Sequence, residues 1–197
     1  MVVVVHFPCN FETFKEGAFF NKTAPFFNLM NYFELLSLEQ AFKIDLINLE
    51  ASYLVASKKY NPDFSNSAIF DANALKLSAM VNQAYSTLKD PFQRAEYLLK
   101  LKDGKNSEEI RTVPPDILEE VMDIRFELES QAKTIETLEL LKKKLTSRLN
   151  YFEDRLLILF EHLKCSMHED KEKILLDIRL CLNSSRYFVN ILSEIDD

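Results

Sequence analysis

Glycine is almost missing from this chain: there are two among 197 residues. Tight β-hairpins and Gly-rich phosphate loops both need backbone at positive φ or pressed close to an anion. Their scarcity, beside stretches rich in Leu, Glu, Lys and Ile, predicts an all-helical protein. Cysteine is nearly as scarce. Cys9, Cys165 and Cys181 are odd in number and show no CxxC spacing, which points away from a disulfide framework or a zinc site and toward a reducing compartment. No run of about 18 apolar residues occurs, so no transmembrane helix and no membrane partner is expected. Basic residues are outnumbered, with a net charge of −7 and a pI near 5.1. Nucleic-acid affinity comes mainly from clustered Lys and Arg, so general nucleic-acid binding is not expected either. What is present, 47% hydrophobic and 28% charged residues, suits one or two small folded domains.

Residues 1–29, "MVVVVHFPCNFETFKEGAFFNKTAPFFNL", are aromatic, contain no arginine and hold no period for long. Three readings compete for them: a targeting segment, a disordered tail, or an extension upstream of a working start at Met30. The basic n-region of a secretory signal is missing, and Glu12 and Glu16 do not suit a mitochondrial presequence. The mis-set start or tail is preferred.

From Asn31 the pattern is regular. "YFELLSL" reads as a short helix, and Asp45 as the N-cap of a helix over "LINLEASYLVASKKY", with Leu46, Leu49, Tyr53, Ala56 and Tyr60 on its inward face. Pro62 stops that helix. A second long helix is expected from about Ala68 to Leu88, with Phe70, Ala74, Leu77, Val81 and Leu88 near one stripe. Pro91 opens another, "FQRAEYLLKL". Residues 102–113 are polar and unpatterned and read as a linker. Pro114 and Pro115 suit the first turn of a new helix, where a missing N–H costs nothing. Three helices then follow: Ile117 to about Gln131, Thr134 to Lys164, and Lys171 to Ile195. The middle one carries Ile135, Leu138, Leu141, Leu145, Leu149, Phe152, Leu156, Leu159 and Leu163. The last carries Ile174, Ile178, Cys181, Ser185, Phe188, Leu192 and Ile195. Alternating spacings of three and four make a knobs-into-holes seam, and hence a three-helix bundle.

The order and spacing of "NYFELLSL", "KKYNPDF", "VNQAYSTLKDPFQRAEYLLKL" and "ILEEVMDIRFELES" resemble the HscB family, the J-type co-chaperones of iron–sulfur cluster biogenesis. The resemblance covers residues 31–195. It implies an N-terminal J domain over 30–101, an antiparallel helix pair flanked by short helices, then the 102–113 linker and a C-terminal bundle over 114–197. It also implies a non-enzymatic adaptor without a cofactor. The J domain docks on a DnaK- or HscA-type chaperone and stimulates its ATP hydrolysis, while the bundle holds an IscU-type scaffold protein. The bacterial cytoplasm is the preferred setting, with the mitochondrial matrix as the alternative.

The resemblance assigns the chaperone contact to the loop Asn61, Pro62 and Asp63 with Lys58 and Lys59 before it. The family reads His-Pro-Asp there. Asparagine keeps a hydrogen-bond donor and acceptor but loses the imidazole ring and its charge. Replacing this histidine generally disables chaperone stimulation across J proteins, so the alternative is a scaffold-binding adaptor that no longer activates a chaperone. Phe64 stands where a lysine is usual and Ser37 where a turn glycine is usual. Without the resemblance, Asn-Pro-Asp reads simply as a helix-terminating turn. The scaffold contact falls by residue-wise match on Leu118, Met122, Asp123 and Phe126, with Tyr187 as a further position whose register could slip to Phe188. Positions 118, 122 and 126 share a helix face, while Ile117, Val121, Ile124 and Leu128 form a second stripe. Core packing is the competing explanation for either stripe. Phe126 replaces an acidic residue common in the family, which makes this face more apolar.

His162, Cys165 and His168 invite a metal reading, but zinc needs about four ligands at tight local spacing, and no metal site is expected. A small helical metal-dependent enzyme is the remaining alternative. No Ser-His-Asp order or nucleophile elbow supports it.

Overall fold

The structure is a computed structural model, and it describes residues 30–60, 72–130 and 134–196. Asn31–Asp197 form one compact unit, all-helical among the described residues. Its described helices are α1 (Tyr32–Leu35), α2 (Leu46–Tyr60), α3 (Ala72–Lys89), α4 (Pro91–Asp103), α5 (Pro115–Ser130), α6 (Ile135–Cys165) and α7 (His168–Asp196), with a 3-10 turn at Ser107–Glu109.

Local chemistry sets the boundaries. Asn31 caps α1 by accepting from the Glu34 N–H at 3.0 Å, while the Glu34 carboxylate accepts from the Asn31 N–H at 3.1 Å, a reciprocal capping box. Asp45 accepts from the Ile47 N–H at 2.9 Å and so begins α2, as expected. Asp90 caps α4 with Pro91 in its first turn, and Gly104 ends it in the left-handed region at φ 75°, donating to the Lys100 carbonyl. Thr134 caps α6. The segment from 61 to 71, with Phe64 and Phe70, and the expected helix end at Gln131 lie outside the described residues.

Helices α2 and α3 pair through buried Leu49, Ala56, Val81, Ala84 and Leu88. Tyr53 stacks on Tyr85 with centroids 4.2 Å apart and donates to Asn82 at 3.0 Å. Leu46, expected to face inward, is exposed. It lies about 60° round the helix from Leu49, at the edge of a narrow buried stripe. The long pair α6 and α7 closes over Leu141, Leu145, Phe152, Leu156, Leu159, Leu163, Ile178, Cys181, Phe188 and Ile191. Ile135 departs from that expected seam and is exposed. The Lys142 ammonium pairs with Asp196 at the end of α7, so Ile135 stands about 10 Å beyond the point where its partner helix stops.

The polar stretch expected as a linker is pinned along α7. Ser107 is fully buried and donates to Glu96, which also pairs with Arg186. Arg179 holds Asp103 and the Asn106 carbonyl. The Asn183 amide donates to the carbonyls of Ser107, Ile110 and Thr112, the second at 2.7 Å. A composition that lacks apolar periodicity is thus ordered by polar groups reaching in from α7. The α2–α3 side also meets the bundle through Phe42, which stacks on Phe160 at 5.2 Å with the buried Arg94 guanidinium on its ring. Arg94 donates to the Leu88 carbonyl. Burial pulls its pKa below the usual range, and Glu153 and Asp90 oppose that shift.

Candidate functional site: two exposed helix faces

Helix α5 carries two stripes with opposite fates. Ile117, Val121 and Ile124 are buried against the bundle. Leu118 is 39% exposed, Met122 70% and Phe126 72%. Taking Ile117 as zero, these three fall at about 100°, 140° and 180° round the helix, at 100° per residue. They therefore line the outer side in a row of about 6 Å per step. Asp123 and Glu119 are exposed along the flank of this row.

Ion pairs fix the orientation of α5. Glu120 accepts from Arg148 at 2.9 Å, Glu127 from Lys144 at 3.3 Å, and Arg125 pairs with Glu194 at 3.1 Å. Arg148 also lies over the rings of Tyr151, Phe152 and Phe188, which joins α5 electrostatically to the aromatic part of the core. Such half-exposed pairs contribute little stability each, about 0.2–1 kcal/mol, but together they define which side of α5 turns out. The pairs use the inward acids. Asp116, Glu119, Asp123 and Glu129 stay exposed on α5 and have no ion-pair partner among the described residues.

Tyr187 lies on α7, the neighbour of α5. Asn183 reaches the Thr112 carbonyl and Glu194 reaches Arg125, so α5 and α7 run in the same direction and Tyr187 lies level with the start of α5. Two turns separate Tyr187 from Glu194, which puts both on one side of α7. Of the two positions that register left open, Phe188 is buried and Tyr187 is 39% exposed. All five expected positions are exposed: Leu118, Met122, Asp123 and Phe126 on α5, and Tyr187 on α7.

The second region is the end of α2. Lys58 and Lys59 are exposed in its last turn, with the Lys59 ammonium 5.1 Å from the Tyr60 ring centroid. Asn61, Pro62 and Asp63 lie outside the described residues. An additional feature escaped the sequence reading: Ile47, Leu54 and Val55 are exposed on α2. The signal lies in the sequence, because α2 carries two apolar stripes just as α5 does.

Among the described residues no group of three or more His, Cys, Asp or Glu side chains is placed to hold a metal ion. His162 and Cys165 are exposed near the end of α6. No helix among the described residues is long and apolar enough to cross a membrane.

Comparison with known proteins places this architecture. Residues 113–196 match the family described as the HSCB C-terminal oligomerisation domain. A co-chaperone protein HscB homolog of Vibrio cholerae is 41% identical over 104 residues, covering 51% of this chain and 61% of that protein. The homolog in Chromobacterium violaceum is 33% identical over 129 residues, covering 64% and 74%. The solved structure of the chaperone HscB from Vibrio cholerae superposes with a TM-score of 0.68 at 28% identity, covering 85% of this chain and 96% of that one. The Vibrio cholerae sequence match spans about three-fifths of that relative, while the fold match spans nearly all of the solved chain. With the helix order, the two-sided α5 and these similarities together, the chain belongs to the HscB family of co-chaperones.

Proposed function

We propose that this protein is a non-enzymatic co-chaperone of iron–sulfur cluster biogenesis. Its bundle captures an IscU-type scaffold on the outer face of α5, and its J-type helix pair presents that scaffold to a DnaK- or HscA-type chaperone whose ATPase it stimulates. The observation that carries the reading is the row Leu118, Met122 and Phe126, turned to solvent while Ile117, Val121 and Ile124 fill the core. Large apolar side chains in a row with an acidic rim suit a partner that buries them. Met122 suits an adaptable contact because its thioether is flexible and polarizable. The two ends divide the labour: residues 30–101 act as the J domain and 114–197 as the scaffold-binding bundle. The setting is the bacterial cytoplasm, with the mitochondrial matrix as the alternative.

Calorimetric titration of an IscU-type scaffold with the parental chain and with Met122→Gln/Phe126→Gln tests this reading. Loss of two exposed anchors should weaken binding by at least about tenfold, with the melting temperature unchanged because neither side chain is in the core. Equal affinities would remove α5 from the interface.

Asn61 in place of the family's histidine favours a second reading, a scaffold-binding adaptor that no longer drives a chaperone. Stimulation by an Asn61→His variant alone would establish it.

A further inference from the structure

The seam between α4 and α7 carries a polar stripe where helix seams are ordinarily apolar. Arg179, Asn183 and Arg186 recur at spacings of four and three, and they fall within about 60° of one another round α7. Arg179 is 2% exposed and Asn183 6%. Arg179 pairs with Asp103, and Arg186 with Glu96. The two acids are seven residues apart on α4, as the two arginines are on α7, so the helices run antiparallel with ties two turns apart. Glu96 also accepts from the Ser107 N–H at 3.2 Å and from its hydroxyl, and Arg186 reaches Glu108 at 2.9 Å. Beside Arg186 a cleft of about 450 Å3, lined by Tyr32, Phe92, Tyr97 and Val189, opens between the two helices. Apolar contact therefore does not close this part of the seam.

We infer that this stripe is an orientation lock: it fixes one register of α4 on α7, and with it the placement of the α2 face relative to the α5 face. Helix α2 packs on α3 and α3 on α4, while α5 packs on α7, so both faces inherit the α4–α7 register. A buried ion pair adds little net stability over an apolar pair of similar volume, but breaking it leaves a charge uncompensated. That penalty falls on every register but one. If α4 slips by one turn, Arg186 meets Leu99 and Lys100, or Phe92 and Gln93, in place of Glu96. No carboxylate stands at either setting. Arg179 likewise meets Leu99 and Lys100 in place of Asp103, or runs past the Gly104 end of α4. The ring stack of Phe42 on Phe160 is apolar and non-directional, so it holds the helices together without setting their register. The lock follows from the polar seam alone, and its use in placing two partners rests on the co-chaperone reading.

Pulsed electron spin resonance on the full chain tests the lock, with spin labels at Asn48→Cys on α2 and Ser147→Cys on α6, both exposed positions. Cys9 and Cys165 are replaced by serine, and Cys181 is buried and escapes labelling. The variant Glu96→Gln/Asp103→Leu/Arg179→Met/Arg186→Met removes both ties together and keeps an amide oxygen for Ser107. The expected result is one narrow distance in the parental chain and, in the variant, distances spread over about 5 Å, one helical turn. The melting temperature should stay within about 5 °C of the parental value, because both members of each pair are removed together. Parental distances in the folded variant, or a broad distribution already present in the parental chain, overturn the lock. If the fourfold variant does not fold, Glu96→Gln/Arg186→Met takes its place. A fall of more than about 10 °C in that variant makes the ties a source of stability instead of orientation and also overturns the lock. The distances are read on the free chain, so a failure of the parental chain to stimulate a chaperone contradicts the co-chaperone reading and leaves the lock to be decided by the distances.

Discussion

Ser37 occupies the left-handed region at φ 54°, where a side chain with a Cβ is strained. It follows α1 at a turn where its N–H donates to the Glu34 carbonyl at 3.0 Å. Ser37→Gly should therefore raise stability, by about 0.5–1 kcal/mol, and urea denaturation of the two proteins checks this. The family resemblance puts a glycine at this turn, and the backbone angle supplies the reason. Two cysteines also diverge. Cys181 is buried, and desolvation pushes its thiol up to about 12, so its reactive thiolate is essentially missing at neutral pH. Cys165 is exposed. Alkylation near pH 8 followed by peptide mapping should label Cys165 in the native protein and Cys181 only after unfolding.

Elements here are legible where apolar period and capping chemistry agree. Helix α4 follows from Asp90 and Pro91 at one end and from Gly104 at the other, and the α6–α7 seam follows from its three-and-four spacing. Reading the 102–113 segment as a linker was incomplete for a physical reason. Its order comes from Arg179, Asn183 and Arg186, about 70 or more residues downstream, and no local pattern reports a hydrogen bond to another helix. Asn183 tests this directly. Asn183→Leu removes donors to three backbone carbonyls and should cost about 1–3 kcal/mol, with faster hydrogen exchange across residues 104–112. Unchanged stability and exchange would mean that the segment is held by other contacts. The exposed stripe of α2 was missed for a different reason. A periodic apolar pattern states that residues share a side, but only the packing of neighbouring helices decides whether that side is covered.

At the scale of the whole molecule, the two outward faces lie on different helices and differ in charge. The α5 face is apolar with unpaired acids, and the α2 face is apolar with a basic end. Under the proposed function each face would take a partner of different chemistry. The stack of Arg94, Phe42 and Phe160, together with the polar ties from α7 to residues 103–112, joins the helices that carry these faces into one compact unit. Phe42→Ala should destabilise that unit by about 3–5 kcal/mol, and unfolding followed at both ends should remain a single transition if the faces are mechanically coupled. Under the proposed function, binding at one face is converted into chaperone activation at the other. Steady-state ATP hydrolysis by the DnaK-type chaperone, with an IscU-type scaffold present, measures that conversion as this chain or its Asn61→His variant is added. The co-chaperone function requires stimulation by the chain as it stands and at least as much by the variant; unaltered hydrolysis with both would overturn it.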